Sequence, residues 1–345
     1  MTTVADILDV LEALAPCSMK MDWDNVGLLC GSRKKQVEQV LVALDPFEDV
    51  CDEAVEWGAD VIVTHHPLIF RPVANVTDET SVGRIIERLC SAGICAVNAH
   101  TNLDCAPGGV NDELAAVLGL RSVTVLNPSG TDAQGRPWGL LRGGETDEQP
   151  LGEFLQTVKR TLGCPGLRYV DGGKPVRRVA VGGGSCADGM HEALEAGCDT
   201  FVTADVRYNQ FWDAHDLGLN LIDAGHFYTE NPVTRVLADA LAKAFPDIST
   251  LYHTYKDDPS VCVLLIARGE TEEQVAAYFR EHQYNMKFFA DPDLNVYSLF
   301  ADNTIPRVFL ADKDGTIILT QTEKVDAGLL ISGGVEPHPY KPEKS

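Results

Sequence analysis

The sequence predicts an α/β protein built as two similar lobes, and three observations predict it. Apolar runs of about five residues alternate with helix-period segments from residue 36 to roughly 250. A unit recurs: DEAVEWGADVIVTHH (52–66) set over HEALEAGCDTFVTAD (191–205) is identical at Glu53/Glu192, Ala54/Ala193, Glu56/Glu195, Gly58/Gly197, Asp60/Asp199, Val63/Val202 and Thr64/Thr203. The next strand recurs too, GICAVNAH (93–100) against GLNLIDAGH (218–226), and each copy then carries a histidine with an acid four residues on, His100/Asp104 and His226/Glu230. This reads as an internal duplication whose polar ends face a shared cleft.

The elements follow in order. A first helix over about 3–14 places Val4, Ile7, Leu8, Leu11 and Leu14 on one face. The turn-rich DWDNVGLLCG comes next, where Asp22, Asp24 and Asn25 read as loop-shaping residues. Then come a strand near VLVALD, a helix over EDVCDEAVEWG, the strand DVIVT, a helix over ETSVGRIIERLCSAG and the strand ICAVNA. A second set runs through RRVAVGG, ADGMHEALEAG, CDTFVT, a short helix near YNQFWDAHDLG, NLIDAG and a long helix over ENPVTRVLADALAKAF, with Asn231 as cap and Pro232 in the first turn. Both sets predict a largely parallel sheet. The expected boundaries are 1–125 for the first lobe, 126–258 for the second, 259–336 for a C-terminal α/β extension and 337–345 for a frayed tail.

Composition bounds the function. With 345 residues, 45% of them hydrophobic, the chain can bury one large core or two ordinary ones. A net charge of −23, with no lysine or arginine cluster, excludes nucleic acid as a direct partner. The opening MTTVADILDVLEALAP has neither a basic region nor an unbroken apolar stretch, and no segment is apolar enough for a bilayer, so export and membrane insertion are not expected. Ten scattered cysteines without a C-x-x-C pair fit a reducing cytoplasm.

Chemistry concentrates at strand ends, where ligands of α/β sheets collect. DVIVTHHPLIF ends a strand on His65 and His66. Taken alone, the doublet fits one core and one surface histidine; both serve one site if the chain turns at Pro67. Together with His100, Asp104, His226 and Glu230 it offers nitrogen and oxygen ligands for zinc, iron or manganese, and a bridging carboxylate suits two metals. His226 and Glu230 sit either on one helix face or in a turn, whereas AHTNLDCAPGG is too rich in turn residues to predict helix. The turn VAVGGGSCADG, with Gly183, Gly184 and Ser185, is either a phosphate cradle or a structural turn. Ser185 and Cys186 lack an assignable base.

The succession DWDNVGLLCG, DVIVTHHPLIF, NAHTNLDCAPGGVNDELA and DAGHFYTENPV resembles the dinuclear-metal-centre family of NGG-interacting-factor-like proteins, whose members carry the name GTP cyclohydrolase I type 2, over about residues 3–258. The resemblance implies two divalent metal ions between two α/β lobes, a homohexameric ring, and His65, His66, Asp104, His226 and Glu230 as ligands, with His100 lining the pocket. It also implies a hydrolase in which the metals activate a bridging water, with GTP as substrate, attacked at C8 with loss of formate. The alternative is a non-catalytic metal-binding protein, a carrier or regulatory scaffold. This chain departs from the family where it reads TADVRYN, with Ala204 and Asn209 in place of a T-G-D and a histidine, and it lacks an inserted domain between the lobes. Beyond residue 259 the strand, helix, strand and hairpin pattern, turned at Lys313-Asp314-Gly315, is similar to the second half of a thioredoxin-like domain. Ile305-Pro306 stands where such folds keep a cis proline. Cys262 has no C-x-x-C partner, so an interaction or oligomer-shaping role is expected rather than redox chemistry.

Overall fold

Thr3 opens the first helix, α1 (Val4–Leu14), with a reciprocal cap in which its hydroxyl accepts from the Asp6 amide and the Asp6 carboxylate accepts from the Thr3 amide. Val4, Ile7, Leu8 and Leu11 are buried, as the helical spacing predicts. The computed structural model describes residues 1–246, 248–252, 265–268, 271, 273–274, 288–291, 307–311 and 317–322. Two units, Met1–Thr254 and Tyr255–Ser345, make up the chain.

After α1 come β1 (Gly27–Cys30), β2 (Gln39–Ala43), α2 (Glu48–Trp57), β3 (Val61–Thr64), α3 (Ser81–Ala92), β4 (Cys95–Asn98), α4 (Thr101–Cys105) and α5 (Val110–Val117). The second run is β5 (Arg121–Leu126), a small hairpin of β6 (Gly130–Thr131) and β7 (Pro137–Trp138), β8 (Leu141–Gln149), α6 (Leu151–Leu162), β9 (Arg168–Val170), β10 (Val176–Val181) and α7 (Met190–Glu195). It closes with β11 (Thr200–Thr203), α8 (Tyr208–Leu217), β12 (Asn220–Asp223), α9 (His226–Glu230), α10 (Pro232–Ala244) and β13 (Ser249–Tyr252).

The first sheet has the order β1-β4-β3-β2-β13; β1 is antiparallel and the other pairings are parallel. In the second, β5-β8-β10-β11-β12-β9, the pairings among β10, β11 and β12 are parallel, while those of β5 with β8, β8 with β10 and β12 with β9 are antiparallel. The second set is therefore a mixed sheet, not a largely parallel one. The antiparallel members escape an apolar-run reading because β5 is mostly exposed and β8 is polar along its outer half.

Helices cover both faces of each sheet. α1 and α10 pack on one face of the first and α2 and α3 on the other. α5 and α6 flank the second opposite α7 and α8. Strands buried on both faces must be apolar throughout, hence runs such as Val61–Thr64. Sequence order does not partition the sheets: β13 pairs with β2, and Val233, Leu237 and Leu241 of α10 join the core of the first.

Two local expectations are corrected. Thr101–Cys105 is helical despite its turn-like composition, because its polar side chains find buried partners: the Asn102 side chain donates to Ala15 O at 2.6 Å and accepts from the His100 amide at 2.9 Å. Asn231 does not cap α10; its backbone is already helical and continues α9.

In the second unit, β14 (Leu265–Arg268) pairs in parallel with β15 (Phe288–Asp291), and β16 (Arg307–Ala311) pairs antiparallel with β17 (Ile317–Thr322). Cys262, Ile305-Pro306, the turn at 313–315 and residues 337–345 lie outside the described residues.

One ion pair anchors the segment that carries Asp104. Arg142, on β8 and 1% exposed, donates to Asp112 at 2.6 and 3.2 Å and to the carbonyls of Gly139, Cys105 and Ala106. Arg142→Met removes the buried counter-ion of Asp112, which keeps the Gly108 amide, and takes one donor from each of three carbonyls, leaving Gly139 O without one. We expect urea unfolding to show a loss of about 3 kcal/mol; a change within about 0.5 kcal/mol would contradict the anchoring role.

Candidate metal centre

His65 and His66 follow β3, His100 follows β4, and His226 opens α9 just after β12, so carboxyl ends from both sheets deliver the histidines. The doublet serves one site because the chain bends: the Thr64 hydroxyl donates to His66 O at 2.6 Å, and the two rings come to face each other at 4.9 Å. Helix α9 settles the geometry of the second pair. His226 and Glu230 lie one turn apart, with Nε2 and Oε2 separated by 3.0 Å.

The six predicted side chains form three overlapping triads, His65/His66/His100, His66/His226/Glu230 and His65/Asp104/Glu230, and within each the ligand atoms lie no more than 4.8 Å apart. The last triad is buried, and its atoms His65 Nε2, Asp104 Oδ1 and Glu230 Oε2 have no hydrogen-bond partner. Glu230 Oε2 nonetheless sits at ion-pair distance from His66 Nε2, 2.9 Å, and from His226 Nε2, 3.0 Å. Orphaned buried atoms are costly, and two of them converging with a buried carboxylate on one point fit a cation.

Every imidazole is held from behind. His65 Nδ1 donates to Ala99 O at 2.9 Å. His66 Nδ1 donates to Asp45 at 2.7 Å, His100 Nδ1 to Asp24 at 2.8 Å and His226 Nδ1 to Asp205 at 2.7 Å. This arrangement fixes the tautomer and turns Nε2 toward a ligand, as around protein-bound metals. Asp24 is itself pinned by the Thr101 amide and hydroxyl. Asp205 adopts a left-handed backbone, φ 50°, which aspartate tolerates.

Burial sets the protonation states. It pushes His65 down to about 3, so this ring is neutral. For His66 burial acts in the same direction but is outweighed by Asp45 and Glu230, which raise it to about 10. His226, bonded to Glu230, rises to about 9. Burial and the Glu230 charge lift Asp104 well above the carboxylate range. Glu230 is depressed: burial would raise it, but His226 and His66 overcome that. Without a cation, protons hold the cluster together.

The glycine turn has a packing role. A Cβ on Gly184, at φ 61°, would lie 2.0 Å from Glu230 Oε1. The Gly184 amide donates to Thr229 Oγ1 and the Gly183 amide to Asn111 Oδ1, so neither is offered to a phosphate; Ser185 is exposed beside them. Asn111 also donates to Asp104 O and Leu140 O, and so links the segment bearing Asp104 to the turn that seats Glu230. Asp45, Asp205 and Asn111 were not singled out from sequence, and Asp24 was read as a loop residue. The available signals were a strand-end position for Asp45 and the repeat position of His66 for Asp205.

Two outcomes follow from this geometry. Asp45→Ala should weaken zinc binding about 10–100-fold in a competitive chelator titration while the fold persists; unchanged affinity would deny Asp45 its orienting role. Because His66 and His226 hold protons up to about 10 and 9, zinc must displace them. The apparent affinity therefore falls as pH is lowered below these values, and calorimetry in buffers of different ionisation heat should detect proton release.

A family model described as Duf34/NIF3 (NGG1p interacting factor 3) matches residues 2–259. A Clostridium perfringens relative, called a GTP cyclohydrolase 1 type 2 homolog, is 38% identical over 230 residues, which are 66% of this chain and 87% of that protein. A crystal structure of a Bacillus cereus protein related to NIF3 superposes with a TM-score of 0.70 at 27% identity, covering 76% of this chain and 99% of that one. A Staphylococcus aureus crystal structure gives 0.70 at 31% identity, with the same coverage. The chain belongs to the Duf34/NIF3 family.

Proposed function

We propose that the chain is a dinuclear metal-dependent hydrolase acting on a nucleotide, with GTP as the first candidate substrate. The observation that carries this reading is the convergence of the buried His65 Nε2, Asp104 Oδ1 and Glu230 Oε2, the first two without a hydrogen-bond partner and the third met only by His66 and His226, among imidazoles whose Nδ1 atoms are all committed elsewhere. His65, His66, Asp104, His226 and Glu230 would hold two divalent transition-metal ions, zinc, iron or manganese, with His100 as a further contact. Glu230 is the carboxylate common to two of the triads and would contribute to holding the ions. When bound, such ions lower the pKa of a coordinated water and polarise the bond under attack. Asp24, Asp45 and Asp205 keep the imidazoles aimed, and the half-exposed His226 edge admits small molecules. The nucleotide enters from the relatives' name, not from a base-reading pocket.

The two lobes are proposed to derive from a duplication. Asp60 accepts from the amides of Glu38 and Gln39 just as Asp199 accepts from those of Arg177 and Arg178. The amides of Ala99 and Ala224 donate to Thr64 O and Thr203 O in the same way. By these equivalences residue 100 corresponds to 225, so the second histidine–acid pair enters one residue later than the first. We further propose that residues 259–336 are a half-thioredoxin appendage, supported by the parallel and antiparallel strand pairs of that unit. A homohexameric ring follows from the family resemblance. Nine cysteines without disulfides among the described residues favour the cytoplasm.

A metal carrier or regulatory scaffold is the second reading. It is favoured by the commitment of all three neighbouring carboxylates to imidazoles, which leaves none of them free as a general acid or base. Metal-loaded protein should release formate from GTP and lose this activity with His66→Ala. Turnover that survives in His66→Ala would overturn the assignment of the activity to this site, and no turnover across a nucleotide panel combined with rapid metal transfer to an acceptor would overturn the hydrolase reading in favour of the carrier.

A further inference from the structure

Two exposed aromatic rings border the histidine cluster. Trp23 is 63% exposed and Phe70 47%. Their centroids are 5.7 Å apart with the planes at 75°, so the rings form a corner. Each also stands edge-on to His100, at 6.3 and 6.1 Å, and His100 in turn meets His65 and His66 at 5.3 and 5.6 Å. One imidazole therefore separates the aromatic corner from the doublet.

The loops that carry the rings are tied down. Asn25 Nδ2 donates to Ile69 O at 2.7 Å, joining the Trp23 loop to the Phe70 loop. Asn98 Nδ2 donates to Asn25 O at 3.1 Å, and Lys20 Nζ donates to Met21 O and Asp24 O. Asp24, next to Trp23, is held by Thr101 and His100. A lone exposed aromatic is ordinary, but two fixed side by side against a polar ligand cluster form a preorganised contact surface.

We propose that Trp23 and Phe70 are a stacking ledge for the planar heteroaromatic ring of the substrate, a nucleobase, at the mouth of the metal centre. The inference rests on the reading of the site as one that acts on a nucleotide, and it assigns the base to these residues. A π-face recognises any planar base without reading its edge, which suits a site where the neighbouring carboxylates are already occupied by imidazoles. The ledge selects for base-bearing ligands and leaves the metal ligands untouched.

The test is calorimetric binding to the zinc-loaded full chain, with GMP and ribose 5-phosphate as probes that differ by the base. The unaltered protein should bind GMP at least about tenfold more tightly than ribose 5-phosphate. Trp23→Leu/Phe70→Leu should erase this difference by weakening GMP alone, with zinc content unchanged, and Trp23→Phe should retain most of it. GMP should also quench tryptophan emission in the unaltered protein, with the quenching lost in Trp23→Phe, a readout that needs no destabilised variant. Equal affinity for the two probes in the unaltered protein would overturn the ledge. So would a double variant that binds GMP normally but sediments differently, which would mean that a second copy of the chain covers the rings. Base-dependent binding without any turnover would instead sink the hydrolase reading and keep the ledge.

Discussion

The site depends on a desolvation constraint. His65 Nε2 and Asp104 Oδ1 are removed from water without a hydrogen-bond partner, beside a buried Glu230 Oε2 met only by His66 and His226, and a buried polar atom left unpaired typically costs about 1–3 kcal/mol, more when charged. The surrounding imidazoles cannot relieve it by turning, because each Nδ1 is already bonded to Ala99 O, Asp45, Asp24 or Asp205. A divalent cation satisfies all three atoms together, whereas protons on His66, His226 and Asp104 do so less completely. The pKa shifts in the cluster are thus the metal-free counterpart of a ligand set.

The fold bears on this constraint through its connections. The clustered side chains come from the segments that follow strands of two sheets, so their spacing depends on how the sheets are joined. Asn111 bonds Asp104 O and the Gly183 amide, Gly184 leaves room for Glu230 by having no Cβ, and Arg142 fixes the carbonyls just after Asp104. The return of α10 and β13 to the first sheet carries Glu230 with it on the connecting segment. Positioning therefore comes from buried polar contacts as much as from apolar packing.

Much of this was legible in the sequence, for identifiable reasons. Doubly covered parallel strands must be apolar throughout, so β2, β3, β4, β10, β11 and β12 stood out, and histidines in such a setting drew attention to themselves. β5, β8 and β9 did not, because a polar, exposed strand has no periodic signature distinct from a loop. Helix α4 was hidden because Thr101 and Asn102 look like turn residues until their buried partners are known. The orienting aspartates were hidden for a different reason. Asp24 and His100 lie far apart in sequence, as do Asp45 and His66 or Asp205 and His226, and nothing local announces such a pairing. The glycine turn stands out in the sequence, but the need for Gly184 depends on the approach of Glu230, which sequence does not show.

Metal K-edge X-ray absorption on the zinc-loaded full chain tests the central claim most directly. The account predicts a first shell of nitrogen and oxygen, outer-shell scattering from imidazole rings, and a metal–metal vector of about 3.5–4 Å. The chain has ten cysteines that could compete for zinc, so a sulfur-dominated first shell, or a spectrum without imidazole scattering, would contradict it.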